Sequence, residues 1–98
     1  MAAYLIVNYT VTDSEEYAAY QKGAVPALKV GSECEIVVYE TETETVEGKG
    51  AGRQTVVLKF ESKEKAREVY ESSAYQAVLG KRLAATTDHF AVLVNTMG

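Results

Sequence analysis

Ala3-Tyr4-Leu5-Ile6-Val7-Asn8-Tyr9-Thr10-Val11 is the stretch that decides the fold. It is too apolar for a strand of a lone half-buried sheet. Side chains alternate faces along a strand. The odd positions give Ala3, Leu5, Val7, Tyr9 and Val11, and the even positions give Tyr4, Ile6, Asn8 and Thr10. Both faces carry apolar groups, so a sheet built on this strand needs cover on both sides. Phe90–Val94, near the other end, has the same character.

Moving outward, Thr12 with Glu15, or Asp13 with Glu16, has the spacing of a capping box, which predicts a helix start. Tyr17, Tyr20, Ala24 and Leu28 recur every three or four residues and mark one helical face. Gly23 and Pro26 lie inside that pattern and weaken it, and Gly31 suits a left-handed residue after the helix end. Strands follow over Cys34–Glu40 and Gln54–Phe60. Between them lie an alternating acidic and β-branched stretch, Glu40 to Thr45, and a turn-rich loop with Gly48, Gly50 and Gly52. A second helical region starts near Ser62, with Ala66, Val69, Tyr70, Ala74, Ala77 and Val78 as its apolar face. The pair Ser72-Ser73 breaks it, and Ser73 with Gln76 restarts a helical segment that runs to about Ala85. The last strand is Asp88–Asn95.

The order β-α-β-β-α-β predicts one ferredoxin-like α+β domain over residues 1–98: a four-stranded antiparallel sheet with two helices on one face. The first and third strands are central and the second and fourth lie at the edges. The helices cover one face only, which leaves the other for a second copy of the chain. The expected assembly is a homodimer joined through the sheet faces, closing a dimeric α/β barrel.

Composition narrows the function classes. Hydrophobic residues make up 47% and charged residues 24%, an ordinary globular balance, and the formal net charge is −4. Lys63, Lys65 and Arg67 are interleaved with Glu61, Glu64 and Glu68, so no basic patch forms for nucleic acid or an anionic membrane. Cys34 is the only cysteine, no apolar run approaches the roughly 20 residues of a membrane span, and no basic segment opens the chain, so a cytoplasmic protein is expected. Walker loop, nucleophile elbow and dinucleotide fingerprint are absent, and nothing in the spacing of His or Cys points to a metal or cofactor.

Tyrosine is the outstanding bias: seven Tyr against two Phe and no Trp. Tyr17, Tyr20, Tyr70 and Tyr75 fall on helix positions able to face the sheet, and Asn8 sits on a central strand, where a polar side chain must find a partner. These residues are the candidate lining of a cleft between helices and sheet. Arg82, seven residues after Tyr75 and so on the same helical face, is the candidate carboxylate anchor at its mouth. His89, the only histidine, is the candidate general base there. The bland alternatives are core rings with hydroxyls at the rim, a solvated arginine and a satisfied histidine. Cys34 lies between Glu33 and Glu35, which disfavours a thiolate nucleophile.

One family resemblance spans nearly the whole chain. Arg53, Phe60, Ser62, Ala66, Tyr70, Ser72, Tyr75, Gln76 and Arg82, with Tyr20 and Gly31 earlier, stand where a known pattern has them. That pattern is an Arg, an apolar strand ending Phe-Pro-Ser, then Trp-Tyr-x-Ser-Pro-x-Tyr-Gln and a later Arg. The chain resembles the family catalogued as domain of unknown function 1330. It departs at Val69 for the Trp, Ser73 for the Pro, Glu61 for the Pro before Ser62, and Ser32 for a second Gly. The resemblance implies a ferredoxin-like fold in the dimeric α/β-barrel superfamily, which holds cofactor-free monooxygenases, lactone isomerases, haem-binding enzymes and plain ligand binders. Fold alone does not choose among them. Three readings follow: a dimer that binds a small organic or aromatic acid, a cofactor-free monooxygenase or isomerase of an aromatic or lactone substrate, and a structural dimer without ligand.

Overall fold

The computed structural model describes residues 1–97, apart from the side chains of residues 88 and 89. The elements run β1 (Ala3–Val11), α1 (Ser14–Ala27), β2 (Cys34–Glu40), β3 (Gln54–Phe60), α2 (Lys63–Tyr70), α3 (Ser73–Ala85) and β4 (Thr86–Asn95). The sheet is antiparallel, with strand order β2-β3-β1-β4. This is the predicted ferredoxin-like α+β arrangement, with β1 and β3 in the centre.

Local chemistry explains the boundaries. Asp13 caps α1, its carboxylate accepting from the Glu16 amide at 3.1 Å. Pro26 falls in the last turn of α1, and the chain turns there: Lys29 is left-handed at φ 58°, and Gly31 follows at φ 93°. The left-handed residue directly after the helix is therefore Lys29, not the glycine that composition suggests. Ser62 caps α2. The second helical region is two helices, as the serine pair predicts, but Ser72 rather than Ser73 is the cap. Its hydroxyl donates to the Val69 carbonyl at 2.7 Å and accepts from the Tyr75 amide at 3.3 Å. The restart re-phases the helix. Tyr75, Arg82 and Ala85 turn inward, while Ala74 and Ala77 are exposed. β4 begins directly at the end of α3, two residues before its predicted start.

Strand parity divides the sheet. Ala3, Leu5, Val7 and Tyr9 of β1 pair with Phe60, Leu58, Val56 and Gln54 of β3, and all are buried. The helices lie on this face, where Tyr17, Tyr20, Ala24 and Leu28 of α1, Ala66 and Val69 of α2, and Tyr75 of α3 complete the core. The even face has no such cover. Phe90, Val92 and Val94 of β4 and Val38 of β2 are 38–46% exposed, and they lie beside Ile6 of β1 and Val57 of β3. The molecule measures 18 Å in its thinnest direction, one sheet and one layer of helices.

Candidate functional site

The helix-facing tyrosines form a continuous ladder. Ring centroids lie 5.6 Å apart between Tyr9 and Tyr17, 5.6 Å between Tyr17 and Tyr20, 6.3 Å between Tyr20 and Tyr75, and 4.9 Å between Tyr75 and Tyr70. These are normal offset and edge contacts between rings. The hydroxyls pair in the same order. Tyr9 and Tyr17 share a hydrogen bond of 2.5 Å, and Tyr20 and Tyr75 share one of 2.7 Å. Gln54 Nε2 donates to the Tyr17 hydroxyl at 2.6 Å, and Arg82 Nη1 donates to the Tyr75 hydroxyl at 3.1 Å. Burial pushes the Tyr17 phenol up to about 12, and burial likewise raises Tyr9, Tyr20 and Tyr75. All four stay neutral near pH 7.

Arg82 is the unusual member. Only 3% of it is exposed, and its guanidinium carbon lies 5.5 Å from the centroid of the Tyr9 ring. Its Nε is buried with no hydrogen-bond partner among the described residues. The ion pairs among the described residues involve Arg53, Lys65 and Arg67, not Arg82. Burial works against its charge, but the phenol oxygens of Tyr75, Tyr20 and Tyr70 hold its pKa above the ordinary value. Among the described residues, this permanently charged group is enclosed with no carboxylate paired to it. An unmet buried donor costs about 1–3 kcal/mol, more when charged.

A cavity of about 70 Å³ lies beside it. Leu5, Val7, Val56 and Leu58 form its sheet wall, Tyr9, Tyr17, Tyr20 and Tyr75 its aromatic wall, and Ala24 and Leu28 its α1 wall, with Arg82 among the lining groups. It opens between α1 and β2, past Val25, Val30, Ile36, Gln21 and Tyr39. Gln21 Nε2 donates to the Tyr39 hydroxyl at 2.5 Å across this opening. The interior is apolar apart from phenol tips and one cation.

The structure brings together Tyr17, Tyr20, Tyr75 and Arg82 around this cavity, with Tyr70 stacked on Tyr75 behind it. Arg82 is enclosed, not at the mouth. Asn8 does not join them. It lies on the even face, opposite Tyr9, and its amide is fully used there. Nδ2 donates to the Gly52 and Gln54 carbonyls, both at 3.2 Å, and to Thr55 Oγ1 at 3.0 Å, while Oδ1 accepts from the Gly52 amide at 2.6 Å. Asn8 therefore pins the 41–53 loop to the sheet. A β-carbon on Gly52 would stand 2.3 Å from the Tyr9 carbonyl carbon, so only glycine fits that approach. The His89 side chain lies outside the described residues. Arg53 is exposed and paired with Glu42 at 2.6 Å. Sequence reasoning places Tyr9 on the central strand beside Asn8 but leaves it out of the lining, and it misses Gln54 and Tyr39. Parity with Leu5 and Val7 would have placed Tyr9 among the tyrosines; Gln54 and Tyr39 carry no such signal.

The chain matches the family described as Domain of unknown function (DUF1330) over residues 2–97. It belongs to that family. No curated protein matches it. Among solved structures it is similar to a protein of unknown function from Rhodopseudomonas palustris, with TM-score 0.78 and 14% identity over 99% of this chain and 83% of that one. It is also similar to a dimeric ferredoxin-like protein of unknown function from Thermobifida fusca, with TM-score 0.65 and 15% identity over 98% and 92% of the two chains. A third neighbour is SnoaB, a cofactor-independent oxygenase from Streptomyces nogalater, with TM-score 0.67 and 10% identity over 99% and 94%. At these identities the DUF1330 chain shares their fold, and the likeness carries no activity across.

Proposed function

We propose that this DUF1330 protein is a homodimer, joined through the open sheet face, that binds a small organic or aromatic acid between helices and sheet. Arg82 carries the reading. It is a buried cation with an unmet Nε–H beside an apolar cavity, and a carboxylate supplies the missing acceptor and countercharge. The aromatic and aliphatic walls suit the body of such an acid. A ligand-free structural role leaves the Arg82 Nε–H unmet among the described residues.

A cofactor-free monooxygenase or isomerase acting on a small aromatic or lactone substrate is the second reading, and SnoaB, a protein of the same fold, is described as a cofactor-independent oxygenase. The buried phenols are neutral donors, not bases, near pH 7. Binding is therefore the function the geometry supports best. Isothermal titration of benzoate against benzamide tests it: the acid should bind and the isosteric amide should not. Equal binding of the two, or none of either, contradicts it.

The homodimer rests on Ile6, Val38, Val57, Phe90, Val92 and Val94 sharing one uncovered face. Full burial contributes roughly 1.5–3 kcal/mol per side chain, against an association cost of roughly 4–15 kcal/mol. The T. fusca neighbour is itself described as dimeric. Sedimentation at micromolar concentration should give twice the chain mass, and Val92→Asp should give the single mass. Among the described residues no helix is long and apolar enough to cross a membrane. A cytoplasmic setting accords with Cys34, a buried free thiol.

A further inference from the structure

The cavity is only partly closed, so an acid the size of benzoate bound at Arg82 reaches its opening. An engineered apolar cavity of about 150 Å³ admits benzene, so the 70 Å³ here encloses the carboxylate and the first part of the carbon body. The opening, however, is unusually apolar. Val25 on α1 is 48% exposed, and Ile36 and Tyr39 on β2 are 44% and 50% exposed, all on the rim of this one cavity. α1 packs mainly on α3, and on the helix side of β2 Ile36 and Tyr39 stay exposed beside the opening. Polar rims are the norm for a cleft that takes a small, wholly enclosed molecule; this rim presents its apolar groups to solvent.

We propose that the ligand is an amphiphilic acid longer than the cavity, bound head-first, with its apolar tail emerging between α1 and β2 over Val25, Ile36 and Tyr39. The inference rests on the acid-binding reading and adds the class of acid. The carboxylate reaches Arg82, the first few carbons fill the enclosed part, and the remaining tail covers the rim. The Gln21–Tyr39 hydrogen bond crosses the exit. That bond must open for passage, and the Tyr39 ring then lies along the tail. Length selection follows from area: each methylene that leaves water on the rim strengthens binding by about fourfold, until the tail passes Tyr39.

The test is calorimetric titration of the intact protein with straight-chain carboxylates from acetate to decanoate, below their micelle-forming concentrations. Affinity should climb with length past the point where the cavity is full. Ile36→Thr and, separately, Val25→Thr should flatten the climb for the longer acids while leaving butyrate affinity within about twofold. Both positions are exposed, and a circular dichroism melt confirms that each variant folds. Short acids that bind with longer ones binding no tighter overturn the inference and leave the acid-binding reading standing. No acid of any length binding overturns both. A climb that both variants leave intact also overturns the inference, because the tail then lies elsewhere.

Discussion

At the scale of single residues, Arg82 and Asn8 show how differently a buried polar group can be settled. Asn8 meets every demand of its amide within the chain, through Gly52, Gln54 and Thr55. Arg82 meets the phenols of Tyr75, Tyr20 and Tyr70 and the face of the Tyr9 ring, yet keeps an unused donor. A buried guanidinium with an unmet N–H carries a desolvation cost that an apolar side chain of similar length does not. Arg82→Met should therefore leave Tm unchanged or raise it by a few degrees, while weakening benzoate by at least about tenfold, the cost of losing a charged hydrogen bond. A melt that falls sharply with benzoate affinity retained would make Arg82 a structural residue. The spacing of seven between Tyr75 and Arg82 made their meeting legible in sequence. The side of the sheet taken by Asn8 was legible too, since it has the opposite parity to Leu5 and Val7. The mistaken grouping of Asn8 with the tyrosines came from weighing its polarity above its parity. The enclosure of Arg82 was not legible, because a long side chain reaches either solvent or core from the same helix position.

At the scale of elements, the boundaries were legible wherever a cap chemistry marks them. Asp13 and Ser62 start their helices with a side-chain oxygen on a free amide. The break at Ser72 decides the site, because it sets which residues of α3 face the sheet. Read without a break, the apolar pattern turns Ala74 and Ala77 inward; restarted at Ser72, it turns Tyr75 and Arg82 inward instead. Ser72→Ala removes both the cap on Tyr75 and the bond to Val69, and should cost about 1 kcal/mol of stability in urea with an unchanged m-value. The same variant should weaken benzoate, since the frayed first turn of α3 carries Tyr75. Unaltered stability would show that packing alone holds the break. The turn after α1 shows where sequence ran out: Lys29 takes the left-handed conformation because the chain must reverse within a few residues of Pro26, a tertiary demand that overrides the preference for glycine.

At the scale of the whole molecule, the two apolar parities of β1 announced a sheet that needs two covers, and the chain supplies one. What the sequence could not announce is the gap between α1 and the sheet, since cavity size depends on how bulky rings settle against one another. Those rings also set the response to alkali. Cys34, pushed by burial from 9.0 to about 11, and Tyr17, from 10.0 to about 12, keep their protons in the fold after the unfolded chain has lost them. Tyr9, Tyr20 and Tyr75 shift in the same direction. The unfolded state then binds fewer protons, so stability is full below pH 9 and falls as pH rises toward 12. Tm should be level from neutrality to about that lower bound and then drop steeply; a melt level through the whole alkaline range contradicts burial of these groups. The central claim is that Arg82 awaits a carboxylate. It is tested most directly by following the Arg82 Nε–H resonance by NMR while benzoate is added to the intact protein. A saturable downfield shift is expected as the unmet donor gains an acceptor, absent with benzamide; a resonance that stays put at every benzoate concentration, or moves equally with the amide, would show that Arg82 takes no carboxylate.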